Sequence, residues 1–411
     1  MSPAITAQRA YAPDSRYAWR RLAVAVALST IGGVGLWSTV IVLPTIETAF
    51  GVDRGGASIP YTATMIGFAA GGIMMGRLTD RFGIVVPLVI GALMLGIGYL
   101  ASAAATTYWQ FVLAQSLLVG MLGSSATFAP LVADVSLWFV RKRGIAVAIV
   151  ASGNYLAGAI WPPILTYAIA TVGWRYAFVL IGVFCLVTLL PLGLLLRRRP
   201  VLEARIGPGV GHRAAGGPPV PPGVLQALLV VAAFSCCVAM SMPQVHLIAY
   251  CGDLGYGAAR GAEMLSIMLA FGVVSRLASG FIADRIGGVG TLVLGSTLQC
   301  VALVFYLPFN GLTSLYLVSA LFGLSQGGIV PSYALIVREY FPAREAGARV
   351  SLVLMISVVG MAAGGWISGK IFDLTGSYQA AFLNGVAWNL LNMVIAFWLL
   401  LSRLRPRPSL A

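Results

Sequence analysis

The chain has 411 residues, of which 59% are hydrophobic and only 9% are charged, and its formal net charge is +14. A soluble domain carries about 25% charged residues, so this composition excludes an ordinary soluble protein. Apolar runs of the length that crosses a bilayer recur along the chain. Backbone groups in lipid must be bonded within their own segment. We therefore predict an all-α membrane protein.

Twelve membrane-crossing helices, here called spans 1 to 12, fit the apolar runs. Their predicted boundaries are 20–48, 57–77, 84–104, 108–139, 144–171, 175–197, 223–251, 260–283, 289–308, 312–339, 346–373 and 379–403. Residues 198–222 form a basic linker rich in glycine and proline, a composition that cannot bury a core. The predicted domains are two six-helix bundles, 1–197 and 223–411. The polar first 20 residues and the long first apolar run predict an N-terminus that is not cleaved as a signal peptide.

The positive charge suggests nucleic-acid binding until the cations are placed along the chain. With the N-terminus in the cytoplasm, 21 of the 26 lysines and arginines fall in cytoplasmic segments. Four fall outside, namely Arg54, Arg175, Arg260 and Lys370. This asymmetry is the orientation signal of a membrane protein. It predicts two cytoplasmic termini and no nucleic-acid partner, and it leaves one cation, Arg276, unexplained.

Arg276 lies in an apolar stretch of span 8, with no acid within seven residues on either side. Asp284, at the predicted cytoplasmic edge, follows eight residues later, so Arg276 lies about 12 Å into a core of about 30 Å. A cation there costs at least ~2.5–3.5 kcal/mol. Because guanidinium binds carboxylates in bidentate geometry, Arg276 indicates a carboxylate substrate. The alternative is that Gly272, Arg276 and Gly280 form a face that packs against another helix, and that the arginine bonds to helix carbonyl groups.

The two halves of the chain share a motif. The sequence from Gly76 to Gly83 matches that from Gly280 to Gly287, 204 residues later, and both carry Asp-Arg before the last two positions. Trp138-Phe139 matches Tyr340-Phe341 at a spacing of 202. Two six-helix halves joined by a cytoplasmic linker are the plan of many secondary transporters.

The repeated motif resembles the cytoplasmic signature of the major facilitator superfamily. Within it, Trp138–Gly144, Ala151–Gly153, His246–Tyr256 and Arg276 resemble the monocarboxylate transporter group and its bacterial oxalate/formate relatives. The resemblance implies the twelve-helix major facilitator fold and a monomeric carrier in a bacterial inner membrane.

The chain departs from the resembled group at three places. Mammalian monocarboxylate carriers have an aspartate one turn before the span 8 arginine, where this chain has Gly272. They also have a lysine in span 1, whose interior here has none, so proton coupling by that route is in doubt. The second signature has Phe281 in place of its first arginine.

Further substrate-binding candidates follow from the resemblance, because spans 1, 4, 7 and 10 line the cavity in that superfamily. His246 can bond the substrate or carry a proton, and Pro243 just before it should let span 7 bend. Asn154 and Tyr155 of span 5 are similar candidates. Each side chain has an alternative role as a helix–helix contact. Besides Arg276, the predicted substrate-binding residues are Trp37, Thr127, Asn154, Gln244, His246, Gln326 and Tyr333.

A second set of residues lies at the predicted cytoplasmic ends of the spans and is expected to form the gate that opens and closes. We expect Asp134, inside span 4, to pair with Arg77 or Arg81 when this gate is closed. The alternative is ordinary charge placement at the membrane interface. The predicted gate residues are Gly76, Arg77, Asp80, Arg81, Asp134, Gly280, Asp284 and Arg285.

The sequence predicts no enzyme. It has no phosphate-binding motif of the kind that drives transport with nucleotides, and its five cysteines and two histidines lack metal or disulfide spacing. We therefore expect no cofactor and no metal. The predicted function is secondary active transport of a small monocarboxylate or related organic anion by alternating access, with a co-transported proton. Anion exchange, efflux of a drug or metabolite, and a carboxylate sensor remain as alternatives.

Overall fold

The computed structural model describes residues 14–198, 220–308 and 310–404, and within these ranges the secondary structure is helical, without strands. This confirms the all-α prediction. The α-helices are Arg16–Gly32, Val34–Phe50, Arg54–Phe82, Val85–Ala104, Tyr108–Leu113, Ala129–Trp138, Arg143–Ala151, Gly153–Val172, Trp174–Leu195, Pro222–Asp253, Ala258–Phe305, Leu312–Gln326, Ile329–Tyr340, Ala343–Thr375 and Tyr378–Leu404.

In the described part of the chain, ten helices are long and apolar enough to cross a membrane. One of these, Ala258–Phe305, has 48 residues and turns at Gly287, whose φ of 76° lies in the left-handed region. It covers the predicted spans 8 and 9. The helix Arg54–Phe82, at span 2, is not among the ten. A multi-pass membrane protein is confirmed, and the count of twelve spans remains a prediction.

Helix starts follow from local capping chemistry. Ser15 and Asp53 accept hydrogen bonds from the backbone N–H groups of Ala18 and Gly56. Thr107 forms a reciprocal capping box with Gln110 at the start of span 4. Each cap satisfies a backbone donor that a helix N-terminus otherwise leaves unbonded, which stabilises the helix by about 1 kcal/mol.

Four spans are interrupted, which the sequence did not predict. Span 1 is interrupted at Gly33, and span 5 at Ser152. Span 10 is interrupted at Gly327 and Gly328. Span 4 is the most irregular, because a π-helix over Ala114–Gly123 and a 3-10 turn over Ser124–Thr127 separate its two α-helices. Such segments occur often at functional sites.

The chain forms two compact units. The first contains Met1–Gly207 and His246–Ala270, and the second contains Pro208–Val245 and Phe271–Ala411. These units follow the predicted halves except for residues 246–270. Of the predicted linker 198–222, only the ends are described, so the predicted domain boundaries stay predictions. Six of the cations predicted to be cytoplasmic lie outside the described residues, namely Arg9, Arg199, Arg205, Arg213, Arg405 and Arg407.

Glycines let the helices of the first unit pack backbone against backbone. A Cβ on Gly71 would meet the carbonyl group of Met121, in the π-helix, with the carbonyl carbon at 2.7 Å. A Cβ on Gly67 would meet the backbone N of Met121 at 3.2 Å. Close approach through small residues is how membrane helices associate, because lipid supplies no hydrophobic driving force between them.

Candidate functional site

Arg276 lies on the part of Ala258–Phe305 that precedes the turn at Gly287, in the second unit, and its side chain is half-buried. Its Nε donates a hydrogen bond to the carbonyl oxygen of Gly327 at 3.4 Å. A bond to a helix carbonyl is the contact that the packing alternative predicted. The bond by itself is compatible with both roles.

The interruption of span 10 lies directly against Arg276. A Cβ on Gly327 would stand 2.5 Å from the Arg276 backbone nitrogen and 2.6 Å from the Gly272 carbonyl oxygen. Only glycine allows this approach. The neighbouring Ser275 donates from Oγ to the Leu324 carbonyl oxygen at 2.6 Å. Span 8 therefore satisfies carbonyl groups that the end of Leu312–Gln326 would otherwise leave unbonded.

Gln244, Gln326 and Tyr333 belong to the same unit as Arg276 and are almost fully buried. The Gln244 Nε2 donates to Gln326 Oε1, so the two predicted residues form a pair. The Tyr333 hydroxyl donates to Asn392 Oδ1 at 2.8 Å. In this conformation that bond uses the single proton that we expected Tyr333 to offer to a carboxylate.

Trp37, Thr127, Asn154 and His246 lie in the first unit. The Trp37 indole Nε1 donates to the Asn154 carbonyl oxygen at 3.1 Å, which joins two of the predicted residues. Thr127 is the last residue of the 3-10 turn, where its hydroxyl donates to the Ser124 carbonyl oxygen at 2.9 Å. His246 is fully buried. Their roles toward a substrate remain predictions.

The charged residues of the repeated signature are exposed. They are Arg77, Asp80, Arg81, Asp284 and Arg285. A Cβ on either signature glycine, Gly76 or Gly280, would meet no atom within 4 Å. These positions have space around them, as a gate needs, but the gate itself remains a prediction.

The structure gives Asp134 a partner that the sequence did not predict, and its pairing with Arg77 or Arg81 in a closed gate stays a prediction. In this conformation the carboxylate binds Arg21, with Nε–Oδ2 and Nη2–Oδ1 distances of 2.8 Å, and neither Arg77 nor Arg81 is its partner. The reason is depth, because Arg21 and Asp134 are both almost fully buried, whereas Arg77 is exposed. Sequence reasoning counted Arg21 only as an orientation signal. The missed clue was that the buried Asp134 required a cation at its own depth.

Arg54 was also counted only as an orientation signal. Its side chain is 9% exposed and binds two carboxylates, Glu47 at 2.7 Å and Asp253 at 3.2 Å. The three residues form what we call the Arg54 cluster, and all three lie in the first unit. They belong to the helices Val34–Phe50, Arg54–Phe82 and Pro222–Asp253. The cluster lies at the opposite end of Arg54–Phe82 from Asp80.

Replacing Arg54 by methionine should destabilise the protein more than replacing either carboxylate partner by its amide. The arginine variant leaves two acids without their shared cation, whereas each acid variant leaves Arg54 one partner. Midpoint temperatures of unfolding in detergent would measure this order. Because Glu47 and Asp253 are 28% and 40% exposed, added salt should reduce the differences. Equal stability of all three variants and the parent would contradict the prediction.

The chemistry that Arg276 offers is anion binding, because guanidinium stays protonated and donates hydrogen bonds. In the described ranges, no group of three or more histidine, cysteine, aspartate or glutamate side chains is arranged to hold a metal ion. What the second unit offers is a guanidinium group beside an interrupted helix. Such a group binds oxyanions, and carboxylates in particular.

Comparison with known proteins agrees with this fold. The model of the Major Facilitator Superfamily matches residues 25–314 and 264–411. Monocarboxylate transporter 13 of Bos taurus is 27% identical over 386 residues, which cover 92% of this chain and 88% of the relative. The agnestins efflux protein of Paecilomyces divaricatus is 25% identical, over 98% of this chain and 92% of its own.

The likeness extends to solved structures. A bacterial homologue of the human lysosomal transporter Spinster, in an inward-facing and occupied conformation, matches with a TM-score of 0.69. Its sequence is 15% identical, and the match covers 97% of this chain and 100% of that one, which shows the fold alone. The family and these relatives are transporters, not enzymes. The chain belongs to the major facilitator superfamily.

Proposed function

We propose that the chain is a secondary active transporter of a small monocarboxylate or related organic anion, and that it works by alternating access. The observation that carries the proposal is the position of Arg276, half-buried on the span 8 part of Ala258–Phe305, before its turn at Gly287, and beside the interruption of span 10. The similarity to a protein named monocarboxylate transporter 13 supports the same substrate class.

In this proposal Arg276 holds the carboxylate through charge-assisted hydrogen bonds. Such bonds contribute about 1.5–3 kcal/mol each, roughly 10- to 100-fold in affinity. His246 is the proposed proton carrier because imidazole titrates near neutral pH. The proposal therefore assigns one residue of the second unit to the anion and one residue of the first unit to the coupling ion.

Replacing Arg276 tests the assignment. In proteoliposomes, we expect Arg276→Ala to weaken binding of small carboxylates by about 100-fold. Arg276→Lys keeps the charge but loses the planar guanidinium group that binds a carboxylate in bidentate geometry, so we expect an intermediate loss of affinity of about 10-fold. Arg260→Ala is the matched control, because Arg260 is exposed and pairs with Glu263 three residues away. Unchanged carboxylate affinity in both Arg276 variants would refute the role.

Coupling and direction are separate parts of the proposal. Proton symport predicts uptake that an inward proton gradient stimulates and that carries a proton with each anion. Anion exchange, the alternative, predicts uptake that requires preloaded anion and ignores the gradient. Efflux is a second alternative, favoured by the similarity to the agnestins efflux protein, and it predicts net movement out of loaded vesicles. Binding without any flux would instead indicate a sensor.

The proposed location is a bacterial inner membrane, with a monomeric chain and both termini in the cytoplasm. The split of cations along the sequence supports this orientation. Cysteines introduced beside Arg81 and beside Arg260 would test it, because only the second should react with an impermeant reagent added to intact cells.

A further inference from the structure

Gln326 has a buried hydrogen-bond donor that no described residue satisfies. Its side chain is fully buried, and its Oε1 accepts a hydrogen bond from Gln244 Nε2. That bond fixes the orientation of the amide, so Nε2 must face another direction. No acceptor within the described ranges is bonded to Nε2. An unsatisfied buried amide costs about 1–3 kcal/mol, and in native proteins it calls for an explanation.

The position of Gln326 supplies the explanation. It is the last residue of Leu312–Gln326, next to Gly327, whose carbonyl oxygen accepts from Arg276. The nearby backbone acceptors are occupied as well. The Leu324 carbonyl oxygen accepts from Ser275, and the Gly328 carbonyl oxygen accepts from the Ser332 hydroxyl at 2.7 Å.

The interruption of span 10 therefore has an amide donor whose neighbouring backbone acceptors are already occupied by protein groups. The second helix, Ile329–Tyr340, adds a positive end without any side-chain cap. This composition favours a ligand that has at least one acceptor oxygen besides those of the carboxylate bound to Arg276.

We propose that Gln326 determines specificity by donating to an oxygen on the carbon next to the substrate carboxylate, with Gln244 as the residue that positions its amide. The inference rests on the proposed function, because Arg276 must hold the carboxylate. Sites built to hydrogen-bond an oxygen reject analogues that lack it, since the protein group is then left unpaired.

Three acids of similar size test the proposal. Propionate, lactate and pyruvate differ only in the oxygen on the second carbon, and competition in proteoliposomes gives their relative affinities. We expect the parent protein to bind pyruvate or lactate at least 10-fold more tightly than propionate. Gln326→Met, which keeps the length of the side chain but removes the amide, should reduce this ratio to within about threefold. Gln244→Met should reduce it in part.

Gln299→Met is the matched control. Gln299 is a fully buried glutamine of the same unit, and its Nε2 donates to the Cys236 carbonyl oxygen. We expect this variant to keep the parent ratio, which separates specificity from a general loss of packing.

The outcomes separate this proposal from the one on which it rests. Equal affinities of the parent protein for the three acids would overturn the role of Gln326, and this comparison needs no variant. If Gln326→Met keeps the parent preference for pyruvate or lactate over propionate, the role of Gln326 is overturned too. Both results leave the carboxylate role of Arg276 intact. Undiminished binding of all three acids in Arg276→Ala would instead refute the proposed function.

Discussion

Replacing Arg21 by methionine is expected to lower the free energy of unfolding by about 3–5 kcal/mol. The side chains of Arg21 and Asp134 are only 1% and 6% exposed, so the variant leaves a buried carboxylate without its cation. It also removes the hydrogen bonds from Arg21 to the carbonyl oxygens of Leu196 and Arg198, at 3.0 and 3.1 Å. The guanidinium carbon lies 4.7 Å from the centre of the Trp138 ring, a further contact that is lost.

A double-variant cycle separates the ion pair from these other losses. Methionine at Arg21 combined with leucine at Asp134 removes both charges, so we expect the double variant to recover a large part of the lost stability. Midpoint temperatures of unfolding in detergent provide the four measurements. If the two single losses simply add in the double variant, the residues are not coupled and the buried pair does not stabilise the fold.

Alanine at Gly71 should be the second damaging change, at about 1–3 kcal/mol or more. The added methyl group would collide with the Met121 carbonyl group, and the Ser125 Oγ would stand only 2.6 Å away. Backbone cannot move aside as a flexible side chain does. Either the helix Arg54–Phe82 or the π-helix of span 4 must shift to accommodate the methyl group.

The next residue along the chain is the control for this change. Gly72 belongs to the same helix, but a Cβ there would meet no atom within 4 Å. Alanine at Gly72 should therefore be neutral or stabilising by up to about 1 kcal/mol, because alanine favours the helix over glycine. Purified yield and unfolding temperature of both variants give the comparison. Equal effects at the two positions would show that helix propensity, and not contact with span 4, determines the stability of these variants.

Much of the fold was predictable because its signals are local. Apolar runs predicted the helices, and the repeated signature indicated the superfamily, which the family match confirmed. Arg276 was recognisable because every other cation fits the predicted topology. Its neighbour in space, Gly327, follows by 51 residues, and no local signal joins the two.

The interruptions were not predictable from the same patterns. Gly32 and Gly33 end one helix of span 1, and Gly327 and Gly328 interrupt span 10, yet Gly71 and Gly72 lie within a continuous helix. The difference lies in tertiary contacts, because side chains of other spans bond the carbonyl groups at the interruptions. A single sequence with 49 glycines does not reveal which of them receive such partners.

The ion pairs of Arg21 and Arg54 were not predictable for a related reason. Arg21 and Arg54 both sit near predicted span ends, where positive charge is ordinary. Whether such a side chain turns inward depends on an acid elsewhere in the chain, 113 residues away for Arg21 and 199 for the Arg54 contact with Asp253. Composition at the span ends therefore supplied an orientation signal and did not reveal the acids that pair with Arg21 and Arg54.

The interruption of span 1 has a consequence for biosynthesis. The Thr30 and Gly32 carbonyl oxygens accept from Trp161 and Ser124, which lie 131 and 92 residues later in the chain. At roughly 5–20 residues per second, a ribosome needs on the order of ten seconds to reach them. Until then span 1 enters the bilayer without these partners, and each unbonded group in hydrocarbon costs several kcal/mol. The nascent chain should therefore stay beside the insertion machinery until span 5 emerges.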